Sequence, residues 1–210
     1  MGNRAIITGT DKKMAVYLHF NGGRDSVEAF LKYCALQGYR GFPDDYAYSR
    51  LCQVVGNFFA PGGMGVGISP YTDDEDMACY ADDNGVYVVD GWDIVDRVYP
   101  HDNFKEQAEY ELGDMLEAID GSQPDCMRIP KEALFGKQLS ADEVSVGDEV
   151  MVFDNLNGTY EICKVMGFGE PGVKVNGQDM GGVPYVDQYG SDQKSNINNY
   201  LRDGSRWYRV

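Results

Sequence analysis

The stretch that decides the fold is residues 4–26, RAIITGTDKKMAVYLHFNGGRDS. RAIIT (4–8) and MAVYLHF (14–20) are β-branched and aromatic runs separated by a polar turn, which predicts two strands of a hairpin. Asn21-Gly22-Gly23 breaks that pattern. Asp25-Ser26 then supplies N-cap chemistry for a helix whose apolar face is Val27, Phe30, Leu31 and Cys34 and which ends at Gly38. Strand, strand, helix in the first forty residues points to an α+β domain.

Working outward, a second helix is expected from about Tyr46 to Phe59, with Leu51, Val54, Val55, Phe58 and Phe59 inward and Pro61-Gly62-Gly63 as its stop. Met64–Ser69 and Val86–Asp90 read as short strands around a polar, acidic excursion (Thr72–Asn84), and Trp92–Tyr99 as a further strand. Phe104, Ala108, Leu112, Met115, Leu116 and Ile119 fall at helical spacing, giving a helix over Asn103–Asp120 closed by Gly121 and Pro124. The N-terminal α+β domain is thus expected over 1–122 and a Pro/Gly-bearing linker over 123–140. Beyond it, VSVGDEVMVFD, GTYEICKVMGF and GVKVNG predict short strands, with Asn157-Gly158 at a hairpin tip. A helical turn over Asn196–Leu201 and a closing strand at Trp207–Val210 complete a small SH3-like β-barrel over 141–210.

The chain has 210 residues and a formal charge of −16, from 34 Asp+Glu against 18 Lys+Arg. That balance excludes a basic nucleic-acid reader and a binder of anionic membranes, since both need positive potential to gather phosphate. No binding to free nucleic acid is expected. The 43% hydrophobic content, with 15 Tyr, excludes a disordered acidic chain. No apolar run is long enough for a membrane span, and the N-terminus has no signal-peptide core, so a cytoplasmic protein is expected. The five cysteines are scattered without a CxxC pair, which favours reduced, buried thiols over a disulfide framework or zinc site.

The charge is regional. Residues 71–125 hold 17 acids and only Arg97 and Lys105 as bases, netting −15 and leaving about −1 for the remainder. Two readings compete: a solvated face that keeps the chain soluble, or a surface whose carboxylates compete with phosphate for a partner's Lys and Arg. On the second reading the partner-binding residues are Asp73, Asp74, Glu75, Asp76, Asp82, Asp83, Asp90, Asp93, Asp96, Glu106 and Glu109, with Tyr71 and Tyr80 adding uncharged contact. Neither Asp73–Asp76 nor Asp82–Gly85 fits the alternating ligand spacing of an EF-hand, so no metal site is assigned. No catalytic residue or cofactor is assigned either. The loop His19–Ser26, between a strand and a helix, is the place where a nucleotide phosphate would sit, but it lacks GxGxxG and Walker spacing; tight-turn geometry is the plainer reading.

AVYLHFNGGRDSVEAFLKYCALQGYR (15–40), YSRLCQVVGNFF (48–59) and DNGVYVVDGWDIVDR (83–97) resemble a family of small proteins encoded by phages, prophages and integrative elements of Gram-positive bacteria. The resemblance covers about residues 3–120, and His19–Cys34 is its most specific part. It transfers no catalytic residues. It implies a setting in which antirestriction and anti-CRISPR inhibitors are common and acidic nucleic-acid mimics recur. The expectation is an inhibitor of a host defence nuclease, such as an RNA-guided nuclease, whose basic channel the acidic region occupies. The alternative is a protein acting on a defence signalling nucleotide through His19–Ser26.

Overall fold

A computed structural model describes residues 2–59, 65–101, 104, 106, 109–154, 157–188, 199–201 and 206–210. The chain is a mixed α+β protein that divides into two compact units, Met1–Arg128 and Ile129–Val210.

The N-terminal unit is built on a five-stranded sheet. Strands β1 (Ala5–Gly9) and β2 (Met14–Leu18) form the expected hairpin, and β3 (Val66–Pro70), β4 (Val86–Asp90) and β5 (Asp93–Val98) extend it in the order β3-β2-β1-β4-β5. Only β1 and β4 pair in parallel, Ile6 with Val86 through Gly9 with Val89. A parallel pair needs a long crossover. Here it is supplied by helices α1 (Arg24–Leu36) and α2 (Asp45–Phe59), then β3 and α3 (Asp74–Tyr80).

Alternation along β1 separates the two sheet faces. Ile6, with Ala15 and Val86, packs on Met77, Ala78 and Ala81 of α3 and the turn after it. Gly9, on the opposite face, lies under Phe42 and Tyr48, where an added Cβ would come within 3.1 Å of the Tyr48 hydroxyl. That second face is covered by α1 and α2, which pack on α4 (Leu112–Ser122). Val27, Phe30, Leu31, Cys34, Leu51, Val54, Val55, Met115, Leu116 and Ile119 are buried there, as their helical spacing predicts.

Three expectations for this unit are corrected. Thr72–Asn84, expected only as a polar, acidic excursion between strands, carries α3 at its centre. Asp73 caps α3, accepting from the Asp76 amide at 2.9 Å, and three acids in the first turn favour the positive end of the helix dipole. Helix α1 begins one residue before Asp25, with Gly23 at the N-cap position and Asp25 in its first turn, where the Asp25 carboxylate accepts from the Ser26, Glu109 and Tyr110 amides. Helix α4 starts at Leu112, not Asn103. Phe104 leaves the helical stripe and stacks 5.3 Å from Tyr99 instead, while 103, 105, 107 and 108 lie outside the described residues. The expected stop Pro61-Gly62-Gly63 also lies outside them.

The segment expected as a linker, 123–140, carries a 3-10 turn (Asp125–Met127) and α5 (Lys131–Phe135), with Gln123, Ala133 and Leu134 buried. The C-terminal unit continues with β6 (Glu149–Asp154), β7 (Thr159–Phe168), β8 (Lys174–Val175), β9 (Gln178–Asp179), β10 (Pro184–Val186) and β11 (Trp207–Arg209). Val150, Val152, Cys163, Val165, Val186, Leu201 and Trp207 form its core. The strands make an open sheet in the order β10-β7-β6-β11 plus a β8-β9 ribbon. Among the described residues nothing closes this sheet into the expected SH3-like barrel: β8 and β9, two residues each, pair only with one another. The expected helical turn from Asn196 lies mostly outside the described residues.

Candidate functional site: the acidic end of the N-terminal sheet

The parallel β1–β4 pairing brings the C-terminal ends of both strands to the same end of the sheet. Gly9 pairs with Val89, Asp90 with Asp93 across the β4–β5 hairpin, and Pro70 of β3 with Met14 of β2. Helix α3 follows β3 directly, so its acidic first turn lies at this end as well. Lys12 of the β1–β2 turn confirms the placement by reaching Asp74 at 2.7 Å. The loop before α2 joins them, because Phe42 and Gly91 exchange backbone hydrogen bonds at 2.8 and 2.9 Å.

Separate segments therefore deliver Asp11, Asp44, Asp45, Asp73, Asp74, Glu75, Asp76, Asp90 and Asp93 to one end, against Lys12, Lys13 and Arg40. Asp11, Asp44 and Asp45 stand outside the 71–125 region, and no linear charge count finds them. The signal that could have done so is topological: a parallel β1–β4 pair puts the residues after Gly9 beside those after Val89.

Several of these acids are engaged by the protein itself. Asp74 accepts from Lys12 Nζ at 2.7 and 2.8 Å and from the Tyr71 hydroxyl at 2.6 Å. The lysine bond first, then the phenol, hold its carboxyl below the ordinary aspartate range. Burial, reinforced by Asp74, pushes the Tyr71 phenol well up. Asp11 is held by Lys13 at 3.0 Å and accepts from the Tyr48 hydroxyl at 3.2 Å. Burial works against the Asp11 carboxylate, but the Lys13 contacts outweigh it and its pKa falls. Asp44 caps the start of α2 through the Tyr46 amide and pairs with Arg40 at 3.1 Å. Glu75, Asp76, Asp90 and Asp93 are exposed and have no cationic partner among the described residues. Asp90 and Asp93 are directly opposed across the hairpin, an arrangement of like charges that costs a sheet stability.

The other expected binding residues are not part of this surface. Asp82 and Asp83 lie at the far end of the sheet, where Arg4 reaches them at 3.2 and 2.8 Å. Glu106 pairs with Arg97 at 2.8 Å, and Glu109 stands where its own amide and that of Tyr110 donate to Asp25 Oδ2 at 2.6 and 2.8 Å. Tyr80, 60% exposed, packs its ring 5.0 Å from Tyr17 at that far end. Asp96 lies midway along β5, paired with Val88, and its carboxylate accepts from the Arg97 amide.

The glycines of the His19–Ser26 loop are packed in, while Phe20 and Arg24 are exposed. The Gly22 amide donates to Asn3 O at 2.7 Å, the Gly22 carbonyl accepts from the Tyr87 hydroxyl at 3.0 Å, and Gly22 and Gly23 are buried. His19 bonds the Tyr17 hydroxyl through Nδ1 at 2.9 Å. A phosphate would have to displace these contacts. Among the described residues no group of three His, Cys, Asp or Glu side chains is arranged to hold a metal ion, and no helix is long and apolar enough to cross a membrane. No family model, curated protein or solved structure matches this chain.

Proposed function

We propose that this protein is a mobile-element-encoded inhibitor of a host defence nuclease, acting in the bacterial cytoplasm, and that the acidic end of its N-terminal sheet occupies the nuclease's basic nucleic-acid channel. The observation that carries this reading is the convergence of acids from four chain segments on one end of a rigid sheet, with Glu75, Asp76, Asp90 and Asp93 lacking a described counter-charge. A solvated face needs only dispersed charge. Concentrated carboxylates that repel one another are relieved by a cationic partner, and displace phosphate from it because they compete for the same Lys and Arg. An RNA-guided nuclease is the partner class the reading favours.

The test is a DNA-cleavage assay with a purified RNA-guided nuclease of a Gram-positive host, titrated with this protein at several salt concentrations. Inhibition is expected, weakening as salt rises. The combined variant Glu75→Gln, Asp76→Asn, Asp90→Asn and Asp93→Asn is expected to lose it, while Asp96→Asn retains it. Equal inhibition by the quadruple variant and the natural chain would sink the mimicry mechanism.

A further inference from the structure

The chain holds the dipeptide Asn-Gly four times, at 21–22, 84–85, 157–158 and 176–177. That dipeptide carries its own chemistry. The backbone nitrogen of the residue after an asparagine can attack the side-chain carboxamide, and glycine, having no Cβ, shields that nitrogen least. Attack requires the asparagine to turn about its Cα–C bond until the nitrogen faces the carboxamide carbon, so anything that fixes the backbone or pairs either group prevents it. The four sites differ in both respects.

Three of them are held. Gly22 is buried, and its N–H donates to Asn3 O at 2.7 Å. Asn84 is 5% exposed, its carboxamide donates to the Arg4 carbonyl at 2.9 Å, and the Gly85 N–H reaches Ala81 O at 3.4 Å. Asn157 is exposed, but its carboxamide donates to Asp154 Oδ2 at 2.5 Å and the Gly158 N–H to Asp154 O at 2.8 Å. In each case the nucleophile is a paired amide.

Asn176-Gly177 is different. With φ of 49° and 82° they are the two central residues of a type I′ turn between β8 and β9, where Val175 faces Gln178. Such a turn is closed by the residues that flank the central pair, which leaves the Gly177 N–H outside the ladder. Both residues are exposed, and among the described residues neither that N–H nor the Asn176 carboxamide has a hydrogen-bond partner. Nothing lies within 4 Å of where a Gly177 Cβ would stand, so no neighbouring chain screens the nitrogen. The left-handed backbone of the closed turn holds the nitrogen away from the carboxamide, and opening it costs little. Strands β8 and β9 have two residues each and pair with no other strand, a ribbon that is marginal by itself. Only the tip has to open, while Val175 and Met180 beyond it stay packed with Tyr185 and Tyr200.

We propose that Asn176 is a site of self-modification, deamidating through a cyclic imide with water as the only co-reactant. The Gly177 nitrogen loses its proton to solvent base and bonds to the Asn176 side-chain carbonyl carbon. The bond from that carbon to the amide nitrogen breaks, and ammonia leaves with a proton returned from solvent. Water then opens the imide, its hydroxyl going to a carbonyl carbon and its hydrogen to the Gly177 nitrogen. Opening at the side-chain carbonyl gives an aspartate. Opening at the main-chain carbonyl gives an isoaspartate, whose backbone runs through the former side chain. Nothing is oxidised or reduced. Either product adds one negative charge to a chain of net charge −16, and the isoaspartate lengthens the turn by a methylene, which shifts Val175 and Gln178 out of register.

The inference rests on the β8–β9 turn alone, not on the inhibitor reading, and its readout is a mass and a charge, not inhibition. The full natural chain is held at pH 8, sampled over days, digested at acid pH and mapped by mass spectrometry. The peptide carrying Asn176 should convert to the acid form, mostly isoaspartate, about tenfold faster than the peptide carrying Asn157, with Asn21 and Asn84 slower still, because only the Asn176 turn opens without breaking a hydrogen bond to its nucleophile. In denaturant, where turns and hydrogen bonds are gone, all four should convert at similar rates. Asn176→Gln, whose attack would need a six-membered ring, should stop the main acidic species from accumulating on ion exchange. The proposal is overturned if Asn176 converts no faster than the other three in the folded chain, or stays intact over the time in which the denatured chain converts it. An acidic species that accumulates at the natural rate in Asn176→Gln would overturn it as well.

Discussion

Lys12 Nζ sits 2.7 Å from Asp74 Oδ1, joining the β1–β2 turn to the first turn of α3 across 62 residues of sequence. The same oxygen accepts from Tyr71, so one carboxylate ties a turn, a loop and a helix start together. Both charged side chains are partly solvated, 35% and 48% exposed, which limits the pair to about 0–1 kcal/mol. Because the folded Asp74 carboxyl lies below its unfolded value, this contribution is complete above about pH 3.9 and disappears as pH falls through the folded pKa. Carbon-detected NMR titration of Lys12→Met should show the Asp74 midpoint moving back up. The variant should lose no more than about 1 kcal/mol and should inhibit a basic nuclease at least as well as the natural chain, having one fewer cation at the acidic end.

At the far end of the sheet, Arg4 and Asp83 make the contrary case of acids that serve the fold. Asp83 Oδ2 accepts from both the Arg4 amide at 2.9 Å and its Nε at 2.8 Å. The Arg4 side-chain bond draws the Asp83 carboxyl below its ordinary range, and Asn84 donates to the Arg4 carbonyl at 2.9 Å beside it. Asp83→Ala removes a charge-assisted acceptor and leaves the Arg4 amide unpaired, for a loss of about 1–2 kcal/mol. Urea unfolding followed by tryptophan fluorescence should register that loss, with nuclease inhibition unaltered at temperatures where the variant is folded.

The difference between these acids is not written in the linear sequence. Hydrophobic periodicity is legible in α1 and α2, where one face is apolar and the other polar, whereas β1 and β4 are legible as short continuous apolar runs because the sheet is covered on both faces. It fails at α3, since a seven-residue helix with Asp74, Glu75 and Asp76 in its first turn buries only Met77 and Ala78 and looks like a polar loop. It fails again before α4, where Phe104 matches the helical spacing but packs on Tyr99. Charge counting locates the acids of 71–125 but cannot divide them, because Arg4 lies 78 residues before Asp82, and Asp11 and Asp44 join the site only through strand order. The open C-terminal sheet reads as a barrel in sequence because short strands and turns have the same rhythm whether or not the last strand closes on the first.

Gly22 gives a test of the packing in the His19–Ser26 loop. A Cβ there would lie 2.6 Å from Asn3 O and 2.7 Å from the Ala5 backbone nitrogen, backbone atoms that have no rotamer to yield. Gly22→Ala should therefore destabilise the unit by about 1–3 kcal/mol through overpacking. A thermal melt of the variant checks this, and a variant as stable as the natural chain would mean that the loop opens readily enough to admit a ligand.

Thiol reactivity should separate the cysteines by burial. Cys79 and Cys126 are exposed, Cys52 is intermediate, and Cys34 and Cys163 are buried. Burial pushes the Cys52 thiol up to about 11 and that of Cys163 up to about 12, and raises Cys34 further still. The thiolate is the reacting species. At pH 8 a disulfide reagent should modify Cys79 and Cys126 fast, the other three slowly, and all five at similar rates in denaturant, as peptide mapping of quenched samples would record.

Arg97 carries the last prediction. Its guanidinium lies 3.5 Å from the Tyr87 ring centroid and within 5.4 Å of Tyr99 and Phe104, while Nη1 pairs with Glu106 at 2.8 Å and Nε donates to Asn84 O at 3.2 Å. Its side chain is only 8% exposed, so planar stacking and forked donation are made together out of water. Lysine keeps the charge but has neither the plane nor the fork. Arg97→Lys should consequently cost about 1–2 kcal/mol and Arg97→Ala about 2–3 kcal/mol. Urea unfolding monitored at Trp92, with Trp207→Phe as the background to silence the C-terminal unit, measures both. If lysine restored the natural stability in full, the site would be acting through charge alone, and the stacked geometry on Tyr87 would contribute nothing.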